Sequence, residues 1–439
     1  MKTCKIKTSE SKKNTVELHP DTAAALGIAT FKKAVVKFGI LRHFADVVLN
    51  GEVAETELIL STKLASNLHI PDFPDYEVKV SGNEIEFGPF IGMLMSSEDK
   101  RLTWSLLERM KVYLSDYENL HGAVVFFALD KADDVGRLIE GYCYRPDTKT
   151  FEKGIFPFPA SMYRSIGLSD RWKNCFLTAM GDRFFNSHYF SKWEMYQWYS
   201  ANPAFAGHVP FTNILRTADD VFEMLERYGK AFIKPISGLG GHGITQAAAT
   251  ENGYEFKYRE KGENIRALKA AKEEAAEYIK IRFGSGRCLV QQPIDLIKVN
   301  DCVIDFRCIA QKNRFGKWIC MAVIGRYGKK GSIVSNISSG GTAFILGGPD
   351  SPLQGAQAAH LFREISAFAM KVCSALDEYG LNIGTVGIDI GVDKNGGLWL
   401  IEINNRDPDP TIALDANDRD LYLRLKTGIL AYAKFLAGF

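Results

Sequence analysis

Two apolar runs in the last third of the chain constrain the fold most. Gly-Thr-Val-Gly-Ile-Asp-Ile-Gly-Val (384–392) and Leu-Trp-Leu-Ile-Glu-Ile-Asn-Asn-Arg (398–406) are joined by Asp-Lys-Asn-Gly-Gly. Apolar, β-prone runs around Asn-Gly predict a hairpin. On a strand, Glu402 and Asn404 lie two residues apart and share a face. Pairing near the turn brings Asp389 alongside them. Three oxygen ligands on one face suit a hard cation such as Mg²⁺, which keeps some waters and shares nucleotide phosphates. A single acid in such a place reads better as a solvent-edge residue. Acid, acid and amide inside apolar runs favour the metal.

The 439 residues exceed one ordinary domain and suffice for two or three with real cores. The chain is expected to be α/β (α+β) and to fall into three parts, 1–88, 89–174 and 175–439. Net charge is +2, so no bulk field attracts nucleic acid or a membrane surface, and neither partner is expected. No run of about 18 apolar residues predicts a membrane helix, and the basic start lacks an apolar signal core. The 8 cysteines are scattered without CxxC, which predicts reduced, mostly buried thiols in a cytoplasmic protein. Nothing in the sequence sets an oligomeric state.

The first part carries a faint repeat. Residues 18–28 can be laid on 60–70 without a gap, so that Leu18, Ala23, Leu26 and Ile28 fall on Leu60, Ala65, Leu68 and Ile70. Each copy reads as a short helix, a turn and a strand. Such duplicated units interlock to bury their apolar faces. A small, β-rich, pseudo-symmetric barrel is expected, resembling the double-psi barrels in front of some ATPases. In the second part, buried strands at 90–95 and 123–128 flank a helical pattern at 102–120, a parallel strand–helix–strand unit. A helical turn is expected over 135–139 and a short strand over 141–144. The Pro- and Phe-rich stretch 156–164 reads equally as a substrate loop or a rigid connection. Arg164 is its best anion-binding side chain.

In the third part, Lys192 begins an amphipathic helix after a serine cap. Ala-Phe-Ile-Lys-Pro (231–235) ends a strand on Lys234, and Ser237 to Gly243 follow as a glycine-rich loop. Such a loop lets backbone N–H groups close over phosphates, and Lys234 supplies a point charge. The order is neither that of a P-loop nor that of the protein-kinase glycine loop. Gln291 and Gln292 end another strand before a turn and can present polar groups to an adenine edge. Arg307 and Arg326 sit on two strands joined by a hairpin signal. Two guanidiniums facing a phosphate-sized space would stabilise charge during phosphoryl transfer; taken singly, each reads as a surface arginine paired with an acid. The polar stretch 333–343, with Asn336 and Gly340-Gly341, could hold a substrate.

This series resembles the ATP-grasp fold over about residues 175–439: lysine on a helix, Ile-Lys-Pro with a glycine loop, Leu-Val-Gln-Gln, Asp-Phe-Arg, Asn with Gly-Gly, Gly-Ile-Asp, and Ile-Glu-Ile-Asn-Asn. Within that superfamily it most resembles the spore-coat-associated YheC/YheD family. Tyr-Arg-Pro-Asp (144–147), Pro-Phe-Pro-Ala-Ser-Met-Tyr-Arg (157–164) and Phe-Asn-Ser-His-Tyr-Phe-Ser-Lys-Trp (185–193) carry the narrower match. The resemblance implies that Lys192 and Lys234 contact ATP phosphates beneath a lid that includes Ser237, Gly238, Gly240, Gly241 and Gly243. It implies that Gln291, Gln292 and Ile294 surround adenine, and that Asp389, Glu402 and Asn404 hold Mg²⁺. Arg307 and Arg326 would face the γ-phosphate, and Asn336 and Gly341 the acceptor side. The acid that would contact ribose is Asp295 or Asp301. The implied activity is an ATP-dependent carboxylate–amine ligase acting on small-molecule or peptide substrates through an acyl phosphate. A coat protein that binds ATP with little or no turnover is the alternative, and simple phosphoryl transfer a third reading.

Overall fold

The computed structural model describes residues 2–238, 243–260, 263–328, 341–406 and 408–439. Gly240, Gly241 and Asn336 lie outside the described residues.

Seven strands close the N-terminal barrel: Lys2–Ser9, Thr15–Leu18, Lys33–Phe38, Leu41–Leu49, Glu57–Ser61, Asp75–Ser81 and Glu84–Gly88. Their apolar residues alternate with polar ones, so Val16, Leu18, Val36, Phe38, Leu58, Leu60 and Val78 turn inward and are fully buried. The sequence repeat survives at atomic detail. Helices Pro20–Leu26 and Thr62–Leu68 are capped by side chains at equivalent places, His19 accepting from the Asp21 N–H and Ser61 from the Leu64 N–H. Both end on a left-handed residue, Gly27 and His69. The Ile28 N–H then returns to Ala23 O at 2.9 Å, and the Ile70 N–H to Ala65 O at 3.2 Å.

The second sheet runs in the order Thr150–Pro157, Leu138–Arg145, Ala123–Asp133, Phe90–Ser96, Ser161–Arg164, Phe184–Phe185. Phe90–Ser96 and Ala123–Asp133 are parallel, as the strand–helix–strand pattern predicts. The connection is not one helix. It breaks into Trp104–Met110, a 3₁₀ turn at Lys111–Leu114, and Tyr117–Leu120. The expected helical turn at 135–139 is absent, because the chain there turns between two long antiparallel strands. The aromatic stretch is a buried connection that inserts Ser161–Arg164 beside Phe90–Ser96. Arg164 is therefore structural. Its Nε and Nη2 donate to the Asn186 and Ser187 carbonyls at 2.6 and 2.9 Å, and its face lies 3.9 Å from the Tyr189 ring centre.

Two antiparallel sheets form the rest. One has the order Thr212–Ile214, Cys288–Gln291, Lys230–Pro235, Thr245–Thr250, Gly253–Glu260, Glu263–Lys269, and packs on helices Ala218–Tyr228 and Lys272–Phe283. The other has the order Thr342–Ile345, Trp318–Tyr327, Cys302–Lys312, Thr385–Val392, Leu398–Asn404. Its back is covered by helix Gly355–Glu378, through Ile365, Phe368, Ala369, Val372 and Leu376. The last helix, Arg419–Leu436, touches several units at once. Gln311 donates to Leu425 O at 2.8 Å, Ser161 to Ala433 O at 2.7 Å, and Lys434 to Leu120 O at 2.9 Å and to Glu77. No helix among the described residues is long and apolar enough to cross a membrane.

Candidate active site

The acidic hairpin forms as its turn chemistry requires. Asp393 Oδ1 accepts from the Asn395 and Gly397 N–H groups at 2.8 and 2.9 Å, and Gly396 takes the left-handed conformation. The resulting register sets Asp389 opposite Glu402 and Gly387 opposite Asn404. Three expected metal-binding side chains thus share one face of the sheet, and Asn404 donates weakly to Asp389 Oδ2 at 3.4 Å.

The arginines come from the adjoining strands. Arg307 lies opposite Asp389, and Arg326 opposite Asp305. Arg307 clasps Asp389 through Nε and Nη2, the latter at 3.0 Å, and donates from Nη1 to Pro408 O at 3.3 Å. Arg326 clasps Asp305 with two 2.8 Å bonds and lies 3.2 Å from Asp389. All four side chains are buried. Gly387 leaves room for this cluster, since a Cβ there would meet Arg307 Cδ at 3.0 Å. Burial opposes the Asp389 charge, but the Arg307 and Arg326 guanidiniums outweigh it and hold the carboxyl down at about 2. For Arg326, burial works against the cation and Asp305 and Asp389 overcome it.

Lys192 is the first residue of helix Lys192–Ala201, fixed by reciprocal bonds between Ser191 and Glu194. Its ammonium reaches Glu402 at 3.0 Å and donates to Gly238 O at 2.9 Å. It therefore bridges the acidic hairpin of one sheet and the loop after the lysine strand of the other. Lys234 is buried and donates to Gln291 Oε1 at 2.9 Å, while Gln291 Nε2 donates to Thr212 Oγ1 at 2.9 Å. Burial pulls the Lys234 ammonium down to about 8, aided by Lys192 and opposed by Glu402 and Asp389.

Two of the residues expected at adenine, Gln291 and Gln292, have partners within the chain. The Gln291 side chain serves Lys234, and the Gln292 side chain accepts from the Phe211 N–H at 2.8 Å. Gln292 and Ile294 are half-buried in the segment that follows strand Cys288–Gln291. Ser237, Gly238 and Gly243 are exposed, Gly243 with a φ of +77°. Gly341 precedes the strand whose Ala343 pairs with Arg326. Asp295 is exposed and paired with Lys394 at 2.8 Å. Asp301 takes a left-handed turn conformation.

The sequence reading missed Asn186. This buried amide accepts from the Gly384 and Thr385 N–H groups at 2.8 and 3.2 Å, and donates to Thr385 O and Asn405 O at 3.0 and 3.2 Å. It ties the start of the Asp389 strand to the end of the Asn404 strand. Both partners are about 200 residues away in sequence, so no local pattern marks it. The pairing of Asp305 with Arg326 likewise depends on cross-strand register.

Endospore coat-associated protein YheD of Bacillus subtilis (strain 168) is 27% identical over 400 residues, covering 87% of this chain and 86% of YheD. Endospore coat-associated protein YheC of the same organism is 20% identical over 199 residues, 45% of this chain and 54% of YheC. Among solved structures, the VanG D-Ala:D-Ser ligase from Enterococcus faecalis aligns with a TM-score of 0.45 at 12% identity, over 79% of this chain and 98% of that one. The model of the YheC/D like ATP-grasp family matches residues 181–436, more than half of the chain, and the chain belongs to that family.

Proposed function

We propose that this chain is an ATP- and Mg²⁺-dependent ligase that joins a carboxylate to an amine, on small-molecule or peptide substrates, and releases ADP and phosphate. One observation carries the reading: Asp389, Glu402 and Asn404 share a sheet face with Arg307 and Arg326, while Lys192 links Glu402 to the opposite sheet. The donor set is all oxygen. Among the described residues the Glu402 carboxylate meets one ammonium, that of Lys192, which phosphates can draw away. This set fits a hard cation. Asp389, Glu402 and Asn404 would hold Mg²⁺, which supplies positive charge to the terminal phosphates of ATP.

Lys192 and Lys234 bind the nucleotide phosphates. Ser237, Gly238 and Gly243 belong to the loop above them. Gln292 and Ile294 flank the adenine, and Gln291 acts indirectly by aiming Lys234. Arg307 and Arg326 are oriented in advance by Asp389 and Asp305, so they can stabilise charge on the transferring phosphoryl group without reorganising. The substrate carboxylate takes the γ-phosphoryl group and ADP leaves. The amine then attacks the acyl carbon, loses a proton, and expels phosphate as the C–N bond forms. Gly341 and Asn336 are assigned to the acceptor side. The barrel over 1–88 and the unit over 89–174 are proposed as separate domains in front of the catalytic one at 175–439.

The names of YheD and YheC favour a second reading, a coat-associated protein that keeps the fold and binds ATP with little turnover. Cytoplasmic synthesis followed by spore-coat association fits either reading. ADP release across a library of carboxylate–amine pairs separates them. The ligase reading expects ADP and free phosphate with at least one pair. Phosphate retained on a product would instead indicate a kinase, and no ADP with any pair would favour the coat reading.

A further inference from the structure

Behind the arginine strands, on the face opposite the site, two thiols meet. Cys308 Sγ and Cys320 Sγ lie 3.3 Å apart. A bulge makes this possible. The register passes from Ile309 opposite Ala322 to Ala310 opposite Cys320, leaving Met321 as the extra residue. Cys320 therefore shares the face of Ala310 and Cys308. Helix Gly355–Glu378 covers that face, and Ser366 Oγ donates to Cys320 Sγ at 3.4 Å. Cys308 is fully buried, whereas Cys320 is half-buried beside the exposed Ile319.

We propose that Cys320 and Cys308 are an attacking and resolving thiol pair, forming a modification site for peroxides on the back of the catalytic sheet. The Cys320 thiolate attacks one peroxide oxygen, the O–O bond breaks, and hydroxide leaves with the electron pair. Cys320 is then a sulfenic acid. The Cys308 sulfur displaces that oxygen as water, and the S–S bond forms. The two sulfurs lose two electrons and two protons in all, and one hydrogen peroxide becomes two waters. The sulfurs must approach by about 1.2 Å to reach a disulfide length.

Chemical poise matches the geometry. Hydrogen bonding from Cys308 pulls the Cys320 thiol down to about 7 against the effect of burial, with help from Ser366. The contact with Cys320, together with burial, pushes Cys308 up. The attacking thiol is thus the accessible one, and the resolving thiol is protected until the first step has occurred. Cys175 and Cys302 are also half-buried but have no thiol neighbour of this kind, so they serve as internal controls.

The test uses the reduced full-length chain treated with hydrogen peroxide at neutral pH, then digested with trypsin without reductant. Cleavage after Arg307, Lys312, Lys317 and Arg326 puts the two cysteines in separate peptides, 308–312 and 318–326. The expected product is these peptides joined, with Cys320 reacting about tenfold faster than Cys175 or Cys302. In Cys308→Ala, the expected product is a sulfenic acid at Cys320 that dimedone traps. Failure of the wild-type chain to give the joined peptides while its circular dichroism stays native would overturn the proposal. So would oxidation of Cys320 no faster than that of the two control cysteines.

Discussion

Asp389 is the residue on which the charges of the site balance. It lies between two guanidiniums, and its carboxyl is held at about 2. Its folded value is below the ordinary one, so its contribution to stability is fully present above about pH 4. That contribution fades as the pH falls towards 2. Asp389→Asn leaves Arg307 and Arg326 buried with one carboxylate fewer. A loss of about 3 kcal/mol is expected, read as a lower midpoint in urea unfolding; an unchanged midpoint would mean the cluster contributes little. Lys234 titrates in a more useful range. At pH 8 about half of it is neutral in the nucleotide-free chain, since burial holds it near that value. Phosphates would restore the proton. Nucleotide binding at pH 8 should therefore take up about half a proton, and affinity should fall as pH rises past 8. Calorimetry in two buffers of different ionisation enthalpy measures the uptake, which Lys234→Ala should abolish. Equal heats in both buffers and a flat affinity from pH 7 to 9 would contradict this.

Elements follow local rules where those rules are strong. The barrel helices end alike, but Gly27 takes its left-handed conformation freely, whereas His69 holds one with a φ of +50°. A Cβ at Gly27 would meet nothing within 4 Å, so any penalty there comes from the backbone alone. Gly27→Ala should cost about 1 kcal/mol, and His69→Gly should gain up to about 1 kcal/mol. Thermal unfolding of the pair checks this, and shifts of the same sign would contradict it. The repeat was readable because apolar spacing and turn residues act locally. The acidic hairpin was readable for the same reason, including the alignment of Asp389 with Glu402. The break in the helix after Met110 was not, because the apolar stripe continues through the 3₁₀ turn and keeps its helical look. The strand at Leu138–Arg145 was misread at its start, since Val135 and Ile139 fit a helical spacing that pairing with Ala123–Asp133 overrides. The tasks of Gln291 and Asn186 depend on partners far along the chain, which period and composition do not encode.

The whole molecule places the proposed nucleotide cleft between two antiparallel sheets, with Lys192 reaching both. The helix Arg419–Leu436 ties the sheet that carries Asp389 to the second sheet and to the barrel through Gln311, Ser161, Lys434 and Glu77. A nucleotide bound there would draw on both sheets, so removing a group from either one should weaken it. The most direct measurement is calorimetric titration of the full chain with ATP and Mg²⁺, comparing wild type with Glu402→Gln and Lys234→Ala. Each substitution should weaken binding by about tenfold or more, as expected for loss of a charge-assisted contact to phosphate or metal. Wild-type protein that is folded yet binds no ATP, or that binds equally well after either substitution, would contradict the assignment of this face as the nucleotide and metal site.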